Sequence, residues 1–133
     1  MKKLLNSKDT MADDMIAGFV AAWPDLVTTG TTGRIVRRRH LRTKGKDGKV
    51  ALLIGNGAGH EPIAMGFVGE GLLDANAVGD VFAAPSADAI FEAIEDVTGD
   101  AGAVLLISRH EGDVINGNGA ALMAQDEGLD VRP

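Results

Sequence analysis

The sequence predicts an α/β fold, with a mostly parallel sheet and helices on both of its faces. Apolar runs typical of strands alternate along the chain with amphipathic stretches typical of helices, which is the pattern of βα units. The predicted strands are almost wholly apolar, as expected where a parallel sheet is covered on both sides. A length of 133 residues, 45% hydrophobic and 24% charged, suits one soluble globular domain. We therefore expect residues 1–133 to form a single α/β domain.

Three helices are predicted from apolar side chains at helical spacing. They are residues 7–23, 86–97 and 120–128. Ser7 or Asp9 is suited to cap the first helix, and Pro24 is suited to end it. Ser86 is suited to cap the second helix, and Gly128 is suited to end the third.

Five strands are predicted from short apolar runs. They are residues 34–38, 50–54, 77–82, 101–108 and 130–133. Residues 45–49 predict a turn, because they contain two glycines. Residues 62–71 predict a short helix or turn. Residues 55–59 and 109–119 predict loops, each at the end of an apolar strand.

Charge is unevenly distributed along the chain. Residues 1–49 hold 11 of the 13 basic residues and carry a net charge of about +6, whereas residues 50–133 carry about −12. The basic excess in residues 34–49 has two interpretations: an electropositive surface for nucleic acid or an acidic partner, or a solvated strand-turn-strand with its turn near Gly45 and Gly48. We favour the second and expect no nucleic-acid partner, because no aromatic residue is interleaved for base stacking.

The composition argues against several kinds of site. The chain has no cysteine, which excludes a disulfide framework and a thiolate zinc site. The first nine residues begin like a signal peptide but lack its apolar middle. No apolar run approaches the ~20 residues that span a bilayer. We therefore expect a cytoplasmic protein with no membrane partner and no metal site.

The segment "GNGAGHEP", residues 55–62, is the first candidate site. It is not a Walker A loop, because residues 50–133 contain no lysine to reach a phosphate. It is not a dinucleotide fingerprint, because His60 stands where that motif needs glycine or alanine. A loop at the carboxyl end of a parallel strand is where α/β proteins bind ligands. Alternatively, the glycines only form a tight turn, and His60 caps a helix or bonds a neighbouring strand.

The segment "RHEGDV", residues 109–114, is the second candidate site. It follows a predicted strand and offers the carboxylate of Asp113 behind a glycine. Neighbouring strand ends of a parallel sheet lie close together, so Asp113 and His60 could form a general acid–base pair. No cluster of cations accompanies them, which favours a small, neutral, polar substrate. Taken alone, Asp113 could equally be a helix cap or a turn residue.

Residues 55–94, together with "MKKLLN", "GFVAAWPDL" and "RHEGDV", resemble the substrate-binding subunit of dihydroxyacetone kinase. The resemblance runs over essentially the whole chain. It implies phosphorylation of the terminal hydroxyl of a short-chain ketose. It also implies that Gly57 and His60 contact the ketose, that His60 assists as acid or base, and that Asp113 acts as base on the reacting hydroxyl.

The sequence departs from the family pattern at several site positions. Ala58 replaces the serine of the glycine loop, Ala84 replaces another serine, and Ser108–Arg109 replaces a Lys-Asn pair. The lost hydroxyls and the displaced cation suggest a site reshaped for another ketose, such as erythrulose. They are also compatible with a non-catalytic sensor or co-activator. A structural paralogue with an empty pocket is a third option. The candidate substrate-binding residues are Gly57, Ala58, Gly59, Ser108 and Arg109.

The resemblance also sets expectations about partners. Family members continue well past Pro133 and carry a further histidine that bonds covalently to the substrate, and "DVRP" predicts the start of another strand. We therefore expect a domain that is incomplete at its C-terminus and inactive alone. It would form a homo-oligomer or pair with the remaining C-terminal part. Phosphate would come from ATP, or from phosphoprotein-linked ADP/ATP, with Mg on a nucleotide-binding subunit or domain, and this chain would bind no cofactor itself.

Overall fold

A mixed sheet and three helices make up the structure. The computed structural model describes residues 2–44 and 48–133. The strands are β1 Val27–Thr29, β2 Ile35–Arg38, β3 Ala51–Ala58, β4 Ala75–Val81, β5 Ala103–Leu106 and β6 Val131–Arg132. The helices are α1 Met11–Ala22, α2 Ala87–Val97 and α3 Glu111–Asp126, with a 3₁₀ turn at Met65–Phe67. No helix in the described ranges is both long and apolar enough to cross a membrane.

The strand order in the sheet is β1-β2-β4-β3-β5-β6. β4, β3, β5 and β6 are parallel neighbours, joined in the chain by the 3₁₀ turn and by the helices α2 and α3. β1 and β2 are antiparallel to each other, and β2 is antiparallel to β4. The predicted α/β fold with a mostly parallel sheet is therefore confirmed.

Helices cover both faces of the sheet, as predicted. Alternate side chains of the strands point to opposite faces. On one face, Leu53 and Leu105 pack in a core with Ile90 and Ile94 of α2 and with the alanines of α3. On the other face, Ile16 of α1 packs in a second core with residues of β1–β4.

The helix ends agree in part with the predictions. Ser86 caps α2 as predicted, its Oγ accepting a hydrogen bond from the backbone N–H three residues on. Gly128 follows the end of α3 with a φ of +84°, the left-handed conformation that favours glycine. The caps predicted for α1 were wrong, because this helix begins after Thr10 rather than at Ser7 or Asp9.

The strand β3 extends further than the predicted strand. Its glycines were predicted to form a loop, but β3 continues to Ala58 and contains Gly55 and Gly57. A methyl group at Gly57 would lie 2.7 Å from the carbonyl oxygen of Ala83, in the segment that leads from β4 to α2. Gly57 therefore makes room for that segment, and Gly55 makes room for Ile90 of α2, rather than forming a turn.

The helix α3 begins well before the predicted helix. Residues 109–119 were predicted to be a polar loop, yet the helix begins at Glu111. Its glycines explain the error, because isolated glycines disfavour a helix in solution. In the fold they allow close packing: a methyl group would lie 3.1 Å from Ala84 at Gly112 and 3.0 Å from Ile107 at Gly117.

The basic segment does not form the predicted hairpin. β2 forms as predicted, but it pairs with β1 and β4, and residues 39–44 and 48–50 contain no second strand. Gly48 lies outside any helix or strand, and Gly45 lies outside the described residues.

The arginines of the basic segment pair with carboxylates of other segments. Arg34 pairs with Asp13 and with Asp80, and the hydrogen bond to Asp13 raises the pKa of Arg34 above its ordinary value. Two further arginines pair with acids of the second half of the chain. These pairs are Arg37–Asp96 at 3.2 Å and Arg38–Asp74 at 3.0 Å. The uneven charge along the sequence is thus partly neutralised within the fold.

Candidate functional site

A cleft lies at the carboxyl ends of the three central parallel strands, β3, β4 and β5. Its cavity of about 330 Å³ is within the range of small-molecule sites. The lining residues are Gly57, His60, Phe82, Ala83, Ala84, His110, Gly112 and Asp113. A larger cleft of about 690 Å³ lies between residues 3–6 and α1, but it contains neither His60 nor Asp113.

His60 follows the end of β3 through a tight turn. Gly59 has a φ of +101°, and its N–H donates to the carboxylate of Glu61 at 3.0 and 3.2 Å. The ring of His60 meets the edge of Phe82 at 5.3 Å and stacks on His110 at 5.2 Å, measured between ring centroids. Among the described residues its nitrogens make no hydrogen bond, so His60 neither caps a helix nor bonds a strand. The turn and the two rings hold this imidazole in the cleft.

Two buried asparagines anchor the segment that follows His60. Asn56 in β3 donates to the carbonyl of Ile63 at 3.3 Å, and its Oδ1 accepts from Asn76 of β4 at 2.8 Å. A buried polar group that is hydrogen-bonded restricts its neighbours to one arrangement. The segment around His60 is thereby anchored to β3 and, through Asn76, to β4.

Asp113 lies in the first turn of α3, where the helix N-terminus favours a negative charge. Its side chain is 4% exposed. Oδ2 accepts a hydrogen bond from Ser108 Oγ at 2.5 Å and lies 3.3 Å from His110 Nδ1. Oδ1 is buried and accepts no hydrogen bond from the described residues. The carboxylate is therefore held by the segment between β5 and α3.

The structure brings His60 and Asp113 to the same cavity, as the sequence predicted. They follow β3 and β5, which are parallel neighbours in the sheet. Gly57 also lines the cavity, and Ser108 contacts Asp113 directly. An imidazole and a carboxylate in one cleft can exchange protons with a polar ligand.

Four of the five predicted substrate-binding residues do not line the cavity, and one of them, Ser108, reaches it only through its contact with Asp113. Ala58 is fully buried in the second core, so its side chain does not face the cavity. Gly59 is exposed in the turn before His60. Arg109 is exposed beside the cleft, without lining it.

His110 and Phe82 were missed as site residues. His110 is the N-cap of α3, three residues before Asp113. A helix predicted from Glu111 would have placed both side chains on the same turn, at the spacing of a capping box. Phe82 takes a φ of +56° directly after β4, which no local pattern indicated.

Within residues 2–44 and 48–133, no group of three or more histidines and carboxylates could hold a metal ion.

A cleft with an imidazole and a carboxylate, at the carboxyl ends of parallel strands, defines an α/β protein with a site for a small polar ligand. The Dak1 domain family model matches residues 17–133. The chain therefore belongs to the Dak1 domain family, and the resemblance to the substrate-binding subunit of dihydroxyacetone kinase is confirmed.

Three similar proteins show how the chain relates to longer ones. It is 38% identical to the dihydroxyacetone-binding subunit of a PTS-dependent dihydroxyacetone kinase of Listeria innocua, over 98% of this chain and 39% of the relative. The dihydroxyacetone kinase of Citrobacter freundii, solved with AMP-PNP and Mg²⁺, matches with a TM-score of 0.88 and 38% identity, over 98% of this chain and 24% of that one. The dihydroxyacetone kinase operon co-activator Dha-DhaQ matches with a TM-score of 0.82 and 32% identity, over 90% and 35%. The chain thus spans about two fifths or less of each.

Proposed function

We propose that this chain is the substrate-binding part of a short-chain ketose kinase. The substrate would be dihydroxyacetone or a close relative such as erythrulose, phosphorylated at a terminal hydroxyl. The observation that carries this proposal is the cavity shared by His60 and Asp113 in a Dak1 domain. The Listeria innocua relative is a dihydroxyacetone-binding subunit, which supports the same substrate class.

The cleft residues would divide the work of binding and proton transfer. His60 would hydrogen-bond the ketose and assist as acid or base, since its ring nitrogens have no partner among the described residues. Asp113 would provide the negative charge that favours removal of the proton from the reacting hydroxyl. Gly57 would let the backbone approach the substrate closely. Ser108 would support Asp113, and Arg109 and Gly59 would border the entrance.

Phosphate would come from a separate nucleotide-binding domain or subunit. ATP with Mg is one donor, supported by the AMP-PNP and Mg²⁺ of the Citrobacter freundii structure. Phosphoprotein-linked ADP/ATP is the other, supported by the PTS-dependent relative from Listeria innocua. The net charge of about −12 on residues 50–133 disfavours direct binding of a triphosphate without a metal ion.

The residues 1–133 would form one α/β domain of a larger substrate-binding unit. Support comes from the face of β5 that is turned away from α2 and α3. There Val104 and Leu106 are exposed, whereas Leu105, on the opposite face, is buried. A second copy of the chain, or further residues of a longer protein, would cover this face.

A non-catalytic ketose sensor or co-activator is the second candidate function. The match to the co-activator Dha-DhaQ favours it, and so does the replacement of two family serines by Ala58 and Ala84. Ketose binding without turnover, in the presence of every kinase partner supplied, would distinguish this role from the enzyme.

The proposed function is tested by calorimetric titration of the chain with dihydroxyacetone and with erythrulose. We expect saturable binding of at least one ketose, and a loss of roughly three- to tenfold in affinity in His60→Phe, as for one lost hydrogen bond. His40→Phe is the matched control, because His40 is exposed and lies outside the cleft. The proposal would be abandoned if neither ketose bound, or if both variants bound like the parent chain.

A further inference from the structure

We infer that His110 presents the hydrogen-bond acceptor of the cleft to a ligand hydroxyl, and that Ser108 and Asp113 hold its ring in the tautomer that makes this possible. That the ligand carries a hydroxyl group is taken from the proposed function, on which this part of the inference rests. The tautomer follows from the hydrogen bonds of the chain itself.

Three side chains meet at the start of α3. Ser108 Oγ lies 2.5 Å from Asp113 Oδ2 and 3.0 Å from His110 Nδ1. His110 Nδ1 lies 3.3 Å from the same carboxylate oxygen. These contacts form a closed triangle with one hydroxyl, one imidazole nitrogen and one carboxylate oxygen at its corners.

The protons of this triangle can be assigned by counting donors and acceptors. An ionised carboxylate only accepts, so the Ser108 hydroxyl must donate its single proton to Asp113. The hydroxyl then has only lone pairs to offer His110, and the carboxylate has only lone pairs as well. A protonated Nδ1 satisfies both, whereas an unprotonated Nδ1 would face two acceptors. In the neutral ring, Nε2 must therefore be the acceptor.

Burial separates the roles of His110 and Asp113. The Asp113 side chain is 4% exposed, whereas that of His110 is 67% exposed. Both line the cavity, but His110 is far more accessible to a ligand entering from solvent, and it stacks on His60. Among the described residues, no hydrogen bond engages His110 Nε2. A ligand hydroxyl can therefore donate to His110, whose ring Asp113 positions from behind, in addition to the role proposed for Asp113 toward the reacting hydroxyl.

The tautomer is tested by ¹⁵N NMR of the imidazole rings, recorded at alkaline pH where histidine is neutral. Only His40, His60 and His110 contribute, and His110→Phe assigns the signals of His110 by their loss. We expect His110 to carry its proton on Nδ1. We expect exposed His40 to favour the Nε2–H form of a free side chain. An Nε2–H tautomer for His110 in the parent chain overturns the inference, whether or not a ketose binds.

The role of the triangle is tested by removing its other two corners. In the Ser108→Ala/Asp113→Ala variant, shown to be folded by circular dichroism, the Nδ1–H preference of His110 should disappear. Retention of the Nδ1–H form would contradict the positioning role of Ser108 and Asp113. If this variant does not fold, Ser108→Ala alone is used instead. We then expect the tautomer population of His110 to shift partly away from Nδ1–H. An unchanged population would contradict the positioning role.

The acceptor role is tested with two ligands that differ by one hydroxyl, dihydroxyacetone and hydroxyacetone. We expect the parent chain and His40→Phe to prefer dihydroxyacetone by roughly three- to tenfold, which is the contribution of one hydrogen bond. In His110→Phe, which keeps a ring to stack on His60, this preference should fall to about one. An undiminished preference in His110→Phe overturns the acceptor role. Failure of both ligands to bind any chain overturns that role and the proposed function together, while the NMR result still decides the tautomer.

Discussion

At the scale of single residues, Asp113 shows how a carboxylate can be buried and still line the cleft. Asp113 is 4% exposed, yet its carboxylate accepts a hydrogen bond from the Ser108 hydroxyl, lies beside His110 and stands in the first turn of α3. A buried charge without such partners would be too costly to keep. The same contacts that stabilise Asp113 also orient His110 toward the cavity.

Replacing Asp113 by asparagine should lower turnover more than binding in the assembled kinase. The asparagine keeps the shape but loses the negative charge that favours proton removal in the transition state. We expect kcat to fall by at least tenfold while KM changes less, measured by steady-state kinetics with the nucleotide-binding partner present. Asp126→Asn, at an exposed position of the same helix, is the control and should behave like the parent. A rise in KM at constant kcat would contradict this prediction.

At the scale of elements, the glycines of β3 and α3 decide how closely the pieces around the cleft approach each other. Gly57 lies beside the backbone of Ala83, and Gly112 beside the side chain of Ala84. Both contacts involve the segment between β4 and α2, which lines the cavity. The shape of the cleft therefore depends on positions where glycine has no side chain.

A methyl group added at Gly57 should destabilise the fold. It would lie 2.7 Å from the oxygen and 2.9 Å from the nitrogen of Ala83, and a backbone segment cannot move aside cheaply. We expect Gly57→Ala to lower the free energy of unfolding by about 1–3 kcal/mol, measured by urea denaturation. Gly18→Ala has open space around the new methyl group and lies in α1, so it should be neutral or stabilising by about 0.5–1 kcal/mol. Equal effects of the two substitutions would show that the close approach at Gly57 is unimportant.

The arginines of the basic segment should differ in their effect on stability according to burial. Arg38 and Asp74 form a pair whose side chains are 13% and 7% exposed, and Asp74 also accepts from the backbone N–H of Leu52 at 2.9 Å. Arg38→Ala would leave that carboxylate buried without its cation, and we expect a loss of about 3–5 kcal/mol.

The control for Arg38 is Arg42→Ala in the same basic segment. The pair of Arg42 with Glu70 is 3.9 Å long and mostly exposed, so its loss should cost less than about 1 kcal/mol. Urea denaturation of the two variants measures the difference. A small effect of both would mean that the basic segment serves a partner rather than the fold.

At the scale of the whole molecule, one face of β5 lacks the cover that β3 and β4 have. Ala103 and Leu105 are buried beneath α2 and α3, whereas Val104 and Leu106 are 36% and 42% exposed on the opposite face. Parallel sheets are normally covered on both faces. An exposed apolar face next to a sheet edge favours association.

The isolated chain should therefore self-associate or bind a second polypeptide, and it should not phosphorylate a ketose. Sedimentation should show species larger than a monomer, and Val104→Thr/Leu106→Thr should reduce their fraction. A coupled assay for ADP, with dihydroxyacetone or erythrulose and no partner protein, should give no signal above background. A monodisperse monomer would contradict the first expectation, and ketose-stimulated ADP release would contradict the second.

The sequence by itself determined the order of the main elements, the parallel core of the sheet and the two segments that build the cleft. These features depend on local patterns: apolar runs for β3 and β5, a capped amphipathic helix for α2, and polar segments with His60 and Asp113 that follow the two strands. The family was also readable from residues 55–94, because that motif is long and specific.

Only the tertiary structure decided the length of β3, the start of α3, the pairing of His110 with Asp113 and the partners of the arginines. The pairing of His110 with Asp113 depends on the start of α3, and the other features depend on residues that are far apart in the chain or on what packs against a glycine. A glycine is sterically compatible with a turn, a strand or a helix, so its neighbours in space choose among them. For the same reason the charge of a segment does not reveal its partner, since Arg38 meets Asp74 only when β2 pairs with β4.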